Sequence, residues 1–144
     1  MKRLSLGLAL AWLLGAALEA RAQNQPVERK NMDPVLRGTW LLQGSSRDRG
    51  KTITEHEAEE FCRVSETRVR MLAGERKTLV IEKIMIVKDE DGDPGNIVRF
   101  DNGAIWGITK KPKSKYVLVQ VFRDENGKFT ETIRFLVTVK RDDD

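Results

Sequence analysis

The sequence has one cysteine, one histidine, four prolines and few aromatics: three Trp, one Tyr and five Phe in 144 residues. A single thiol, Cys62, cannot make an internal disulfide. A packed core must therefore hold the fold. The thiol itself reads either as a small buried apolar residue beside Phe61 or as a reactive group for an intermolecular bridge. One His and one Cys are too few for a zinc site made by protein ligands alone. His56 is the one imidazole base. Ser45, Ser46 and Ser65 are near it in sequence, but no Gly-x-Ser-x-Gly elbow exists. The titratable groups assemble into no recognisable catalytic motif, so the expectation is a non-enzymatic protein with no cofactor. Glycine and proline are too few for a collagen-like or low-complexity chain.

Long apolar runs are also scarce, with one exception. Met1-Lys2-Arg3 is followed by an apolar stretch from Leu4 to Leu18 and by Ala20-Arg21-Ala22. A positive start, an apolar middle and small residues before a cut are the three regions of a secretory signal peptide. Cleavage is expected after Ala22, with a retained membrane anchor as the alternative; the run is short for a span of ~20 residues. Residues 1–22 carry three of the 26 basic and one of the 22 acidic side chains, so their removal lowers the net charge from +4 to +2. That balance excludes a nucleic-acid footprint. Without a second apolar stretch, the mature chain is expected to be exported, periplasmic or extracellular, with no stable membrane insertion.

From residue 23 onward the chain is rich in short alternating segments. Residues 23–34 are polar and read as a flexible leader. Asp33-Pro34 can cap and open one helical turn. Strands are expected at Gly38–Gln43, Glu66–Met71, Thr78–Val87, Ile97–Asp101, Ala104–Thr109, Tyr116–Arg123 and Phe129–Val139. The polar phase slips at Glu82-Lys83, which marks a bulge. Asn102-Gly103 and Glu125-Asn126-Gly127 are hairpin turns. Thr54-Glu55-His56-Glu57 fits a capping box, which predicts a short helix from Glu55 to Cys62. Strands without intervening long helices exclude a parallel α/β sheet. The expected fold is all-β: an antiparallel meander of about seven or eight strands closed into a barrel over residues 35–140, with one short helix after the first strand and an acidic tail at 141–144.

Gly38-Thr39-Trp40, after a short turn and at the start of the first strand, resembles the Gly-x-Trp opening of lipocalin-like barrels. The order of elements from Val35 to Val139 resembles that of small exported bacterial proteins of planctomycete type with a lipocalin-like domain. The chain lacks the disulfides and further motifs of lipocalins proper. The resemblance implies that Gly38 bends the chain into the barrel and that Trp40 plugs its closed end. It also implies that a basic residue of the last strand, Arg134 or Lys140, packs over the indole, a contact worth about 0.5–2 kcal/mol.

Two patterns carry candidate chemistry. Asp89, Asp91 and Asp93 alternate in a turn and can converge on Ca²⁺, although Pro94 and Phe100 stand where an EF-hand has glycine and glutamate. Lys110 to Lys115 holds four lysines in six residues, a loop suited to an anionic surface. A barrel of eight strands is either filled by side chains or holds one small ligand. Phe100, Trp106 and Phe135 are the expected lining of such a pocket. The leading expectation is a module that holds a small apolar or amphipathic ligand inside the barrel. The alternative is a filled barrel that binds protein or envelope polymer through its loops.

Overall fold

In the computed structural model, residues 27–130 and 132–141 are described. The expected signal peptide, the first residues of the expected leader and the last three aspartates lie outside them. Among the described residues the alternation produces nine strands: β1 (Val27–Arg29), β2 (Gly38–Ser46), β3 (Thr54–Val64), β4 (Arg68–Met71), β5 (Thr78–Lys88), β6 (Pro94–Phe100), β7 (Ile105–Lys110), β8 (Tyr116–Arg123) and β9 (Arg134–Lys140). From β2 onward each strand pairs antiparallel with the next, and β9 returns to β2. The result is a closed, eight-stranded, antiparallel up-and-down barrel, as the sequence predicts. β4 is short and covers only Thr78 to Val80 of β5. Further along that edge β1 pairs Val27–Arg29 with Ile84–Ile86. A strand lies where a flexible leader is expected, because β5 outruns its neighbour and leaves unpaired backbone groups to satisfy.

Alternate residues of each strand fill the interior. On β8, Val117, Val119 and Val121 are buried, while Leu118, Gln120 and Phe122 between them are half-buried and face outward. Phe100 and Trp106 meet edge to face inside, with ring centroids 4.9 Å apart. At one end, Asp33 Oδ1 accepts from the Val35 N–H at 3.0 Å and starts a single 3₁₀ turn, Pro34–Leu36. Trp40 is fully buried there, beside Met32 and Leu36. Its Nε1–H donates to the Leu36 carbonyl at 2.7 Å, so the indole brings its one polar group in satisfied. Gly38 sits at φ +135°, and a Cβ there would lie 2.3 Å from the Lys140 carbonyl oxygen. Only glycine lets β2 enter the barrel so close to the end of β9.

Three expectations need correction. The segment Glu55–Cys62 is strand, not helix. Its Thr-x-x-Glu signature is that of a cap, but no apolar stripe of period 3.6 comes after it. The pairing of Cys62–Val64 against β2 and β4 decides the conformation. The last strand begins at Arg134 rather than Phe129. Phe129 is 46% exposed and forms only an isolated bridge to Arg123, whose guanidinium lies 5.3 Å over its ring. Neither Arg134 nor Lys140 covers Trp40. Trp40 is paired with Val139, so the next residue, Lys140, points to the opposite face. Arg134 is five residues further along β9, about 16 Å away at strand spacing.

Candidate functional site

The residues expected to line an internal pocket belong to the packed interior. Phe100 has no exposed surface and Trp106 is 7% exposed. Phe135 is half-buried and lies against Phe61, centroids 4.9 Å apart. Cys62, next to Phe61 in the chain, is buried in the same core, where desolvation pushes its thiol pKa up and so disfavours the thiolate.

The three aspartates do converge. Their carboxylate oxygens lie within 4.8 Å of one another. The cation they surround is the chain's own: Lys111 Nζ donates to Asp89 Oδ2 at 2.6 Å, Asp91 Oδ2 at 2.8 Å and Asp93 Oδ2 at 3.1 Å. The turn is closed from within as well, because Asp89 Oδ1 accepts from the N–H groups of Asp91 and Asp93, each at 2.9 Å. The hydrogen bond from Lys111 is the main cause that lowers the Asp89 pKa, and the three carboxylates together raise that of Lys111. One of the four clustered lysines is therefore engaged in a local lock. Another, Lys115, has its Nζ 5.2 Å over the Tyr116 ring.

A groove of about 600 Å³ opens on the outer face of β6, β7 and β8, beside this lock. Its apolar floor consists of Ile97, Leu118 and Phe122, with Val87 at the side. Strand alternation turns Phe122 outward, and a bulge falls at the same residue. Ile105 pairs with Arg123 and Trp106 with Val121, so Phe122 is the extra residue of β8. Its ring lies over Gly107, where a Cβ would meet Cε2 at 2.5 Å. The glycine opposite gives the ring a flat seat. Asp89, Glu90 and Asp91 stand at one end of the groove and Arg49 and Arg134 elsewhere along it. With the Gln120 amide oxygen turned toward it, Arg134 donates from Nε at 3.1 Å and Nη2 at 3.3 Å. That partner is neutral. Arg134 has no carboxylate partner among the described residues.

A smaller groove of about 210 Å³ shares Leu118 and Arg134 with the first and reaches Ser45 and Phe135. Beyond it, Ser45 Oγ and His56 Nε2 are 2.9 Å apart. These two residues are near in sequence, but a helix over Glu55–Cys62 would not bring them together. Between the pairs Leu42–Glu59 and Gly44–Glu55, β3 has three residues where β2 has one. That irregularity, which nothing in the local composition marks, turns His56 toward Ser45.

The geometry defines a filled, closed antiparallel barrel with a chemically mixed groove on its outer wall. Comparison with known proteins gives no matching family model, no matching curated protein and no matching solved structure.

Proposed function

We propose that the chain is an exported binding module that takes a small amphipathic ligand with an anionic head, and that it does so in the outer groove rather than inside the barrel. The observation that carries this reading is the pairing of an apolar floor, Ile97, Leu118 and Phe122, with a guanidinium at Arg134 that pairs with no carboxylate among the described residues. Ligand sites combine an apolar lining with a few polar groups that set orientation. Arg is permanently charged and its fork matches a carboxylate. The side chains that fill the interior, Phe100 and Trp106 among them, support the move from barrel lumen to outer wall. The lipocalin-like resemblance fits the same exported barrel and is not needed for the groove.

The test is an NMR titration of residues 23–144 with decanoate and, separately, with decanol. Shifts at Ile97, Leu118 and Phe122 that are strong with decanoate, weak with decanol, and lost in Arg134→Gln support the reading. Shifts centred on the Trp106 indole would return the ligand to the barrel interior. No shift with either compound would remove the small-ligand reading.

A further inference from the structure

Ser45, His56 and Glu59 form a relay with the atom order of a nucleophilic site. Ser45 Oγ is 2.9 Å from His56 Nε2, and His56 Nδ1 is 3.6 Å from Glu59 Oε1. For the hydroxyl to donate to Nε2, the imidazole proton must sit on Nδ1, the nitrogen that faces the carboxylate. The three residues come from two adjacent strands, and the uneven β2–β3 pairing sets them in reach of one another. His56 shares a groove of about 480 Å³ with Glu55, Glu57 and Tyr116, so its surroundings are acidic and polar. Ser45 opens into the neighbouring groove, whose wall is apolar through Ile53, Leu118 and Leu136 and whose permanent positive charge is Arg134.

We infer that Ser45 is an activated nucleophile that accepts acyl groups from esters with a short apolar acyl chain. Ser45 Oγ forms the bond to the carbonyl carbon as its proton passes to His56 Nε2. The electron pair of the C=O double bond moves onto oxygen, in a groove that carries the Arg134 charge. Collapse of that intermediate breaks the bond to the alkoxide, which takes the proton back from Nε2. Water then attacks the Ser45 ester with His56 again as base, releases the acid and restores the hydroxyl. Glu59 is a positioning residue: it favours the Nδ1–H tautomer and the imidazolium that forms transiently.

The experiment uses residues 23–144 with p-nitrophenyl butyrate for turnover and a fluorophosphonate for covalent capture, mapped by peptide mass spectrometry. The expected result is one adduct, on Ser45, and steady-state cleavage of the ester. Ser45→Ala abolishes both. His56→Gln lowers the labelling rate on the order of 10²-fold, and Glu59→Gln lowers it less, its effect on ester cleavage falling on kcat rather than KM. Circular dichroism of each variant verifies that the barrel is folded; if His56→Gln unfolds, the conservative His56→Asn variant and the wild-type labelling site decide. Capture on several serines at equal rates, or wild type that reacts no faster than a folded His56 variant, would overturn the inference. So would a wild-type chain that takes up no probe.

Discussion

The Lys111 ammonium and the Asp89 carboxylate are 2.6 Å apart, and Asp91 and Asp93 complete a cage around the same nitrogen. A sequence pattern suited to a divalent cation is here satisfied by an internal one. The lock ties the β5–β6 turn to the residue after β7.

Its pH response is set by the two shifts. Asp89 is lowered, so its contribution is present above the ordinary carboxylate range, about 3.9, and is lost as pH falls through the folded value. Lys111 is raised, so its contribution is present below the ordinary lysine value, about 10.4, and is lost as pH rises through the folded one. Thermal unfolding of the wild type should therefore change little on this account from about pH 5 to 9. In Lys111→Met the three carboxylates repel one another with no cation between them. That variant should unfold at lower temperature at pH 7 and recover as pH falls toward about 4, opposite in sign to the wild type. A variant whose melting temperature follows the wild-type curve would show that the cage is not a lock.

The same variant tests the metal reading. Removal of the ammonium leaves three carboxylates within 4.8 Å of one another, a set of hard oxygen ligands. Millimolar Ca²⁺ should raise the melting temperature of Lys111→Met and leave the wild type unchanged. Equal stabilisation of both proteins by Ca²⁺ would mean that the ion displaces Lys111 and that the turn is a calcium site after all.

Much of the barrel is legible in the chain because its signals are local. Asn102-Gly103 and Glu125-Asn126-Gly127 turn as expected, with Gly103 at φ +93° and Gly127 at φ +81°. The polar slip at Glu82 is a true register shift between Ile81 and Lys83. The failures share one cause: they depend on partners distant in sequence. A Thr-x-x-Glu signature has no meaning once β2 and β4 claim Cys62–Val64 from either side. Residues 129–133 alternate like a strand, yet Thr130 N–H bonds the Phe122 carbonyl at 2.8 Å and the chain bends before β9. The outer groove is invisible in the sequence because Leu118 and Phe122 look like core residues of a β-branched strand. The burial of the alternate residues Val117, Val119 and Val121 shows which apolar side chains face outward.

Gly38 should tolerate no side chain. Its φ of +135° alone costs an L-residue about 1–3 kcal/mol, and the Lys140 carbonyl stands where a Cβ would go. Gly38→Ala should destabilise by more than that range in urea unfolding, with an unchanged m-value if the barrel still closes. A loss below about 0.5 kcal/mol, the size of an ordinary surface change, would mean that the β2–β9 seam opens freely at this end, and that Trp40 needs no fixed entry for the chain above it.

The interior and the outer wall should respond in opposite ways to truncation. Phe100→Ala and Trp106→Ala each remove a large side chain from a packed interior and should cost about 3–5 kcal/mol. Leu118→Gln and Arg134→Gln alter half-buried groups on the outer face and should cost far less. Decanoate binding should show the reverse ranking: retained, at reduced protein stability, in the Phe100 variant wherever it remains folded, and lost in the outer-wall pair. Gly107→Ala provides the sharper case, since it changes neither the Ile97 and Leu118 side chains nor Arg134. The new methyl would meet Phe122 Cε2 at 2.5 Å, so the ring must swing off its seat toward the groove. Stability should fall modestly, because a ring edge can move where backbone cannot, while the groove narrows and decanoate affinity drops. Unchanged affinity in a folded Gly107→Ala protein would show that the ligand does not rest on Phe122.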